Sequence, residues 1–287
     1  MKKTILAVIS LLAVFFLAAC GTTEAESSSG EGDVLSKVQE AGVLNVGTSP
    51  DYPPYEFYVL DENNEKQIVG MDISLAQALA DEIGVDLQLT ATDFNGVMAN
   101  VQTGSVDMGI AGFTHTDERA SVVQFSNGYA QEKDNGFQGI MMRSEDAGQY
   151  NTLEDLKDAN LVIGAQSGSI QYELAQSLTD PKSIKQYGTL DVGLAALNQG
   201  DIDAMVISTS AAEPMLTTFP GLTIMPEAEF NLDPENKYAE VMITFPQGEE
   251  YASLIDVANQ VIAESEENGN LQKWRTEAEA LSKEAVE

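Results

Sequence analysis

The stretch VQTGSVDMGIAG at residues 101–112 aligns without a gap on LNQGDIDAMVIS at residues 197–208. In each copy a helical pattern ends at a glycine, the chain turns at an aspartate, and an apolar strand follows. Two copies this far apart, each within alternating helix and strand patterns, predict two similarly wound α/β lobes rather than a solenoid. Ligands of doubly wound sheets bind beyond the carboxyl ends of the strands. We therefore expect Gly112 and Ser208, which end these two strands, to face each other across a cleft.

The first copy runs directly into GFTHTDER at residues 112–119. Gly112 allows a backbone to come close to a ligand, and Thr116 can cap a short acidic helix. The guanidinium of Arg119 offers a planar fork of donors that matches a carboxylate, and Thr114 can add a hydroxyl group. These residues predict an anion site, although a capped surface helix with a solvated arginine accounts for the same pattern.

The octet continues as RASVVQFSNGY to Tyr129. This combination, T-x-E-R followed after a short spacer by F-S-x-x-Y, resembles the bacterial extracellular solute-binding proteins of family 3, which feed polar amino acids to ABC importers. The likeness extends from about Leu44 to Trp274. The resemblance implies that Arg119 and Thr114 hold the α-carboxylate of an amino acid, and that the partners are a membrane permease and its ATPase subunit.

Composition excludes several other classes of protein. The chain has 287 residues, 46 of them acidic and 14 basic, and its formal net charge of −32 repels nucleic acids and anionic lipids. One cysteine and one histidine exclude an internal disulfide framework and a Cys/His metal cluster. We expect a monomer without a metal ion or cofactor.

The N-terminal segment has the pattern of an export signal. MKK is followed by an apolar run at residues 5–17 that is short for a transmembrane helix, and then by LAACG at 17–21. The ending resembles a bacterial lipobox, which implies a signal peptide at 1–19 and acylation of Cys20, with palmitate as the expected modification. Residues 20–36 are predicted to be a flexible tether. The protein is therefore expected on the outer face of the cell membrane, held by its lipid anchor only.

Two aromatic residues are candidate walls of the site. Prolines in GTSPDYPPYEF at residues 47–57 forbid a helix and stiffen a loop that presents tyrosines. Phe94 follows a predicted strand and begins a helix, which is where open α/β sheets bind ligands. By resemblance Tyr52 stacks on the ligand and Phe94 forms the opposite wall, whereas a lone phenylalanine is more often part of a core.

In the second lobe the loop AQSGS at residues 165–169 precedes a predicted helix. A Gly/Ser turn at a helix N-terminus is a common anion site and also a common turn. By resemblance this loop contacts the ligand through Gln166, Ser169 or both, although the family usually has threonine where Ser169 stands. A capping box is also predicted at residues 152–155.

The sequence departs from the family at the expected acceptors of the ligand's ammonium group. The family commonly has aspartate at the positions of Ser49 and Ser208. Glu213 lies nearby, but its spacing from Ser210 predicts a capping box that would occupy its carboxylate. We therefore assign the ammonium group to Asp51, assisted by the serine hydroxyls and the face of the Tyr52 ring.

These observations predict a two-lobed α/β protein with a periplasmic-binding-protein-like fold and two hinge strands. Lobe 1 is assigned to 37–130 and 240–287 and lobe 2 to 131–239, with crossings within 129–137 and 237–241. The predicted activity is binding and delivery of an α-amino acid, without catalysis. The alternatives are a dehydratase of prephenate-like or arogenate-like substrates on the same fold, and an extracellular sensor without transport.

Overall fold

The computed structural model describes residues 32–131 and 136–286. The signal peptide predicted at 1–19, the predicted acylation site Cys20 and most of the predicted tether lie outside these residues. No helix in the part of the chain that the structure describes is long and apolar enough to cross a membrane.

The chain alternates between helices and strands. The helices are α1 Val34–Ala41, α2 Met71–Ile83, α3 Phe94–Thr103, α4 Asp117–Ala120, α5 Ser144–Ala147, α6 Leu153–Asp158, α7 Ile170–Ala175, α8 Leu190–Gln199, α9 Thr209–Met215, α10 Glu227–Phe230, α11 Ala252–Glu267 and α12 Asn270–Leu281. The strands are β1 Val43–Thr48, β2 Asp51–Tyr52, β3 Glu56–Leu60, β4 Lys66–Val69, β5 Asp86–Ala91, β6 Met108–Gly109, β7 Val123–Gln131, β8 Gln138–Arg143, β9 Ile163–Gln166, β10 Ile184–Tyr187, β11 Ala204–Ser208, β12 Leu222–Ile224 and β13 Glu240–Pro246.

Two five-stranded sheets form the two lobes. Their strand orders are β5-β1-β6-β13-β7 and β10-β9-β11-β8-β12. In each sheet three parallel strands are followed by an antiparallel one, which is β13 in the first and β8 in the second. A smaller antiparallel sheet, β2-β3-β4, belongs to the first lobe. The prediction of two similarly wound α/β lobes is confirmed.

The sequence repeat occupies equivalent places in the two lobes. The carboxylate of Asp107 accepts the backbone N–H of Asn45 at 2.8 Å, and that of Asp203 accepts the N–H of Val162 at 2.8 Å. Each aspartate thereby ties the turn before its strand to the neighbouring parallel strand. The repeat is therefore a repeated structural device that aligns the third parallel strand of each sheet.

The chain passes from the first sheet to the second between Gln131 and Gln138, and it returns through β13. Residues 132–135 of the predicted first crossing lie outside the described residues. At the N-terminus α1 begins at Val34, three residues inside the range predicted as a tether. The reason is that Asp33 accepts the N–H of Ser36 as an N-cap, while Val34 and Val38 are buried in the first-lobe core.

Candidate functional site

A cavity lies between the lobes, at the carboxyl ends of the strands. The first lobe contributes its lining residues from the loop after β1, the start of α3, the segment after β6, α4 and β13. The second lobe contributes from β8, the end of β9 and the start of α7. The lining residues are Tyr52, Phe94, Ala111, Gly112, Thr114, Arg119, Gln138, Gln166, Ser169, Ile170, Gln171 and Val241.

Seven of the nine predicted ligand-binding residues line this cavity. They are Tyr52, Phe94, Gly112, Thr114, Arg119, Gln166 and Ser169. Asp51 and Ser208 are not among the lining residues, so the structure does not bring the whole predicted set together. The exposed His115 is also outside the lining.

Arg119 is held in place by its own helix and by both lobes. Its backbone N–H donates to the Oγ1 of Thr116, the N-cap of α4, at 3.1 Å. Its Nη1 donates to the carbonyl oxygen of Thr114 at 2.8 Å and to the Thr114 Oγ1 at 3.2 Å, and its Nη2 donates to the carbonyl oxygen of Gly168 at 3.1 Å. A guanidinium has five N–H donors. These three bonds leave two donors, the Nε–H and one Nη2 hydrogen, without a partner among the described residues.

The guanidinium is buried among aromatic rings. Arg119 is 8% exposed, and its Cζ lies 5.3 Å from the ring centroid of Phe94 and 5.6 Å from that of Phe113. It forms no salt bridge with any residue that the structure describes. Burial lowers the pKa of Arg119 from its usual range to about 10, and the charges of Glu173 and Glu118 oppose this shift, so the side chain stays charged at neutral pH. A buried cation without a counter-charge favours an anionic ligand.

Gly112 is required by the tyrosine beside it. Its φ is +59°, and a Cβ built there would lie 3.0 Å from a ring carbon of Tyr52. Glycine therefore lets the Tyr52 ring pack against the end of the repeat strand. The sequence predicted glycine here because a ligand would approach the backbone. The structure gives another reason, which is the packing of the Tyr52 ring.

A buried carboxylate, that of Asp72, holds the backbone of Gly112 by a hydrogen bond. Asp72 accepts the N–H of Gly112 at 3.1 Å and the hydroxyl of Tyr129 at 2.8 Å. Burial raises the pKa of Asp72 to about 6, while the hydrogen bonds from Tyr129 and Gly112 oppose the rise. The tyrosine of the F-S-x-x-Y pattern thus acts through Asp72 on the position of a residue that lines the cavity.

In the second lobe the loop after β9 uses most of its hydroxyl groups internally. Ser169 caps α7 by accepting the N–H of Tyr172 at 3.3 Å, and its Oγ donates to the carbonyl oxygen of Gln166 at 2.8 Å. Gln138 and Gln171 form a buried amide pair in the lining, in which Gln171 Nε2 donates to Gln138 Oε1 at 2.8 Å. This pair was not predicted. The only sequence signal was a glutamine at the start of the otherwise apolar stretch GIMM.

Asp51 contacts the opposite lobe. Its Oδ2 accepts the Nε2–H of Gln166 and the backbone N–H of Leu190, both at 2.8 Å. Burial raises the pKa of Asp51 to about 7; the hydrogen bond from Leu190 opposes the rise, and the nearby charges of Asp191 and Asp93 add to it. Its Oδ2 is therefore engaged with protein donors, whereas its Oδ1 is buried and has no hydrogen-bond partner among the described residues.

Ser208 is also engaged within the protein. It is fully buried, and its Oγ lies 2.9 Å from the Oγ of Ser210. The predicted capping box from Ser210 to Glu213 is wrong, because α9 already begins at Thr209 with Ser208 at the N-cap position. Ser208, which was expected to face Gly112, is not among the residues that line the cavity.

The lining residues provide one cation and several neutral donors and acceptors, without a carboxyl or imidazole group. Within the described residues, no group of three or more His, Cys, Asp or Glu side chains is arranged to hold a metal ion. Chemically, the arrangement can bind a small anion that carries further polar groups.

Comparison with known proteins agrees with this description. The chain is 29% identical over 279 residues to the arginine-binding extracellular protein ArtP of Bacillus subtilis (strain 168), covering 96% of the chain and 97% of ArtP. It is 28% identical over 270 residues to the L-cystine-binding protein TcyJ of Escherichia coli (strain K12), covering 92% of the chain and 94% of TcyJ. Both of these relatives are binding proteins.

A solved structure of similar fold is that of AbpA, an amino acid ABC transporter substrate-binding protein from Streptococcus pneumoniae Canada MDR_19A bound to L-arginine. It matches with a TM-score of 0.77 at 29% identity, covering 86% of the chain and 98% of AbpA. The sequence profile described as bacterial extracellular solute-binding proteins, family 3, matches residues 44–277. This profile spans most of the chain, and the chain therefore belongs to the bacterial extracellular solute-binding proteins of family 3.

Proposed function

We propose that this protein captures one small α-amino acid between its lobes and delivers it to an ABC importer. The observation that carries the proposal is the guanidinium of Arg119, which lines the cavity, is buried, and forms no salt bridge with any described residue. It retains two donors, the Nε–H and one Nη2–H, which suit the two oxygens of an α-carboxylate. The ligand would supply the missing counter-charge.

The surroundings of Arg119 support a ligand of this size and chemistry. Tyr52 and Phe94 provide aromatic faces, and Gln166 adds an amide from the opposite lobe. Closure of the lobes around the ligand excludes water and strengthens each polar contact inside. ArtP is named for arginine and AbpA was solved with L-arginine bound, whereas TcyJ is named for L-cystine. We therefore propose an α-amino acid as the class of ligand.

A screen by thermal unfolding tests the proposal. A ligand at about 100 times its Kd stabilises a protein by about 2.7 kcal/mol, which shifts the Tm of a protein of this size by roughly 5–10 °C. We expect such a shift with at least one of the twenty common amino acids, and none with the matching amine that lacks the carboxylate. If an amino acid and its matching amine raise the Tm of the protein equally, Arg119 does not bind the ligand's carboxylate.

The same samples distinguish a binder from an enzyme. The residues that line the cavity contain no acid–base pair of the kind that a dehydratase requires. We therefore expect prephenate and arogenate to remain unconverted. Conversion of either compound at a rate proportional to protein concentration would refute the binding assignment. Loss of amino acid uptake on deletion of the protein would separate a transport receptor from a sensor.

We also propose that the protein acts as a monomer on the outer face of the membrane, anchored by lipid at Cys20. The support is the lipobox-like LAACG at residues 17–21. Cys20→Ala should move the protein from the membrane fraction into the culture medium and abolish incorporation of a labelled fatty acid. An unchanged membrane fraction would remove Cys20 as the anchor.

A further inference from the structure

The closed cleft does not show an obvious acceptor for a ligand's ammonium group. The residues that line the cavity include no carboxylate. Several of the oxygen atoms in the lining are already used: Thr114 Oγ1 accepts from Arg119, Gln138 Oε1 accepts from Gln171, and Ser169 Oγ accepts from Tyr172. An ammonium group without an acceptor would be penalised by several kcal/mol in a closed site. The side-chain oxygens of Gln166 and Gln171 accept no hydrogen bond from a described residue. Of these two amides, only that of Gln166 is also bonded to the opposite lobe.

The amide of Gln166 has a defined orientation, in which its oxygen can accept a hydrogen bond from an ammonium group. Its Nε2 donates to Asp51 Oδ2 at 2.8 Å and to the carbonyl oxygen of Gly188 at 3.4 Å. Both neighbours are acceptors, so the reversed amide would place Oε1 against a carboxylate and a carbonyl. Gln166 is 4% exposed and lines the cavity. Because the amide is planar, Oε1 points away from these two acceptors, and no described residue donates to it.

Asp51 is itself fixed by the second lobe. Its Oδ2 also accepts the backbone N–H of Leu190, at the start of α8, at 2.8 Å. Asp51 lies on β2 of the first lobe, whereas Gln166 and Leu190 belong to the second. These hydrogen bonds therefore form when the lobes are together. Closure of the cleft and orientation of the Gln166 amide are the same event.

We propose that Asp51 is a positioning residue that reaches across the cleft and orients Gln166, so that Gln166 Oε1 accepts a hydrogen bond from the ligand's ammonium group. This inference rests on the proposed function. It replaces a direct contact of Asp51 with the ligand by an indirect one through an amide. Asp51 Oδ2 accepts from the amide nitrogen, which polarises the amide in the favourable sense.

The test compares amino acids with analogues that lack the ammonium group. The probes are L-arginine with 5-guanidinopentanoate and L-glutamine with 4-carbamoylbutanoate, and calorimetry gives the preference of each protein for the amino acid. Gln166→Leu should reduce the preference by about tenfold or more, since it removes one charge-assisted hydrogen bond. Asp51→Ala should reduce it by a similar factor, because the amide is then free to turn.

Two further variants separate positioning from direct contact. Asp51→Asn keeps an oxygen that accepts from Gln166 Nε2, so it should retain the preference within about threefold. In the double variant Asp51→Ala with Gln166→Leu, the second substitution should cost little beyond the first. Asp191→Asn serves as the matched control, because it removes a nearby charge from α8 outside the cavity lining and should leave the preference unchanged. Thermal unfolding confirms that each variant folds.

Each contrary result has a distinct meaning. If Asp51→Asn loses the preference as fully as Asp51→Ala, Asp51 pairs with the ammonium group directly and the inference is overturned. Equal losses for an amino acid and its analogue, or additive losses in the double variant, overturn it as well while leaving the proposed function intact. If the wild type binds neither amino acid, the inference falls. If it also binds none of the twenty common amino acids, the proposed function falls with it.

Discussion

Replacement of Arg119 by alanine should nearly abolish ligand binding. The substitution removes the Nε–H and the one Nη2–H that are left after the guanidinium's bonds to Thr114 and Gly168. It also removes the positive charge that compensates the carboxylate in a closed site. The bond to Gly168 crosses the cleft, so the variant loses one contact between the lobes in addition.

The expected magnitude follows from the number and kind of bonds. A hydrogen bond to a charged group contributes about 1.5–3 kcal/mol, and truncation of one partner of a buried charge pair costs about 2–5 kcal/mol. Two charge-assisted bonds place Arg119→Ala within this range. We therefore expect Kd to rise by roughly 30-fold to 5,000-fold. Arg119→Lys should recover part of the loss, because an ammonium restores the charge but not the bidentate fork.

Isothermal titration calorimetry with the amino acid found by the thermal screen gives the affinities. Arg143→Ala is the matched control, because Arg143 also donates to backbone carbonyls, those of Leu197 and Ile202, but does not line the cavity. It should lower the Tm and leave Kd within about threefold of the wild type. Values of Kd for both Arg119 variants within a few-fold of the wild type would refute the assignment of the carboxylate to Arg119.

Three further predictions concern closure, pH and local packing. Saturating ligand should lower the radius of gyration in small-angle scattering, and an unchanged profile at proven saturation would indicate a rigid receptor. Burial in the closed form raises the pKa of Asp51 to about 7, whereas the pKa of an exposed aspartate is about 3.9. Closure of the lobes therefore takes up a proton. The affinity for the ligand should then fall as pH rises from about 4 to about 7 and stay constant above about pH 7. Asp51→Asn should remove this dependence, and an identical pH profile in the variant would assign it to another group. Gly112→Ala should lower the free energy of unfolding by about 1–2 kcal/mol more than Gly42→Ala. Both glycines have positive φ, but only Gly112 has an aromatic ring within 4 Å of the added Cβ. Equal losses of unfolding free energy in chemical denaturation would contradict the packing role of Tyr52.

Local patterns in the sequence predicted the elements that depend on neighbouring residues. The Thr152 capping box forms as predicted, and the repeat places Asp107 and Asp203 in equivalent turns. The run at 112–119 predicted the capped helix that projects Arg119 into the cavity. These features depend on hydrogen bonds within a few residues or on the periodicity of apolar side chains, and both can be read along the chain.

Tertiary structure decided how the side chains of the two lobes combine. Asp51 and Gln166 are 115 residues apart in sequence, and Gln138 and Gln171 are 33 apart, so no local pattern indicates that they meet. A local pattern failed even at short range at Ser210. The predicted capping box does not form there, because α9 already begins at Thr209. A sequence lists the polar groups that a site can use. Which of them remain available to a ligand depends on the partners that they find when the lobes come together, since a buried donor or acceptor bonds to the nearest suitable group.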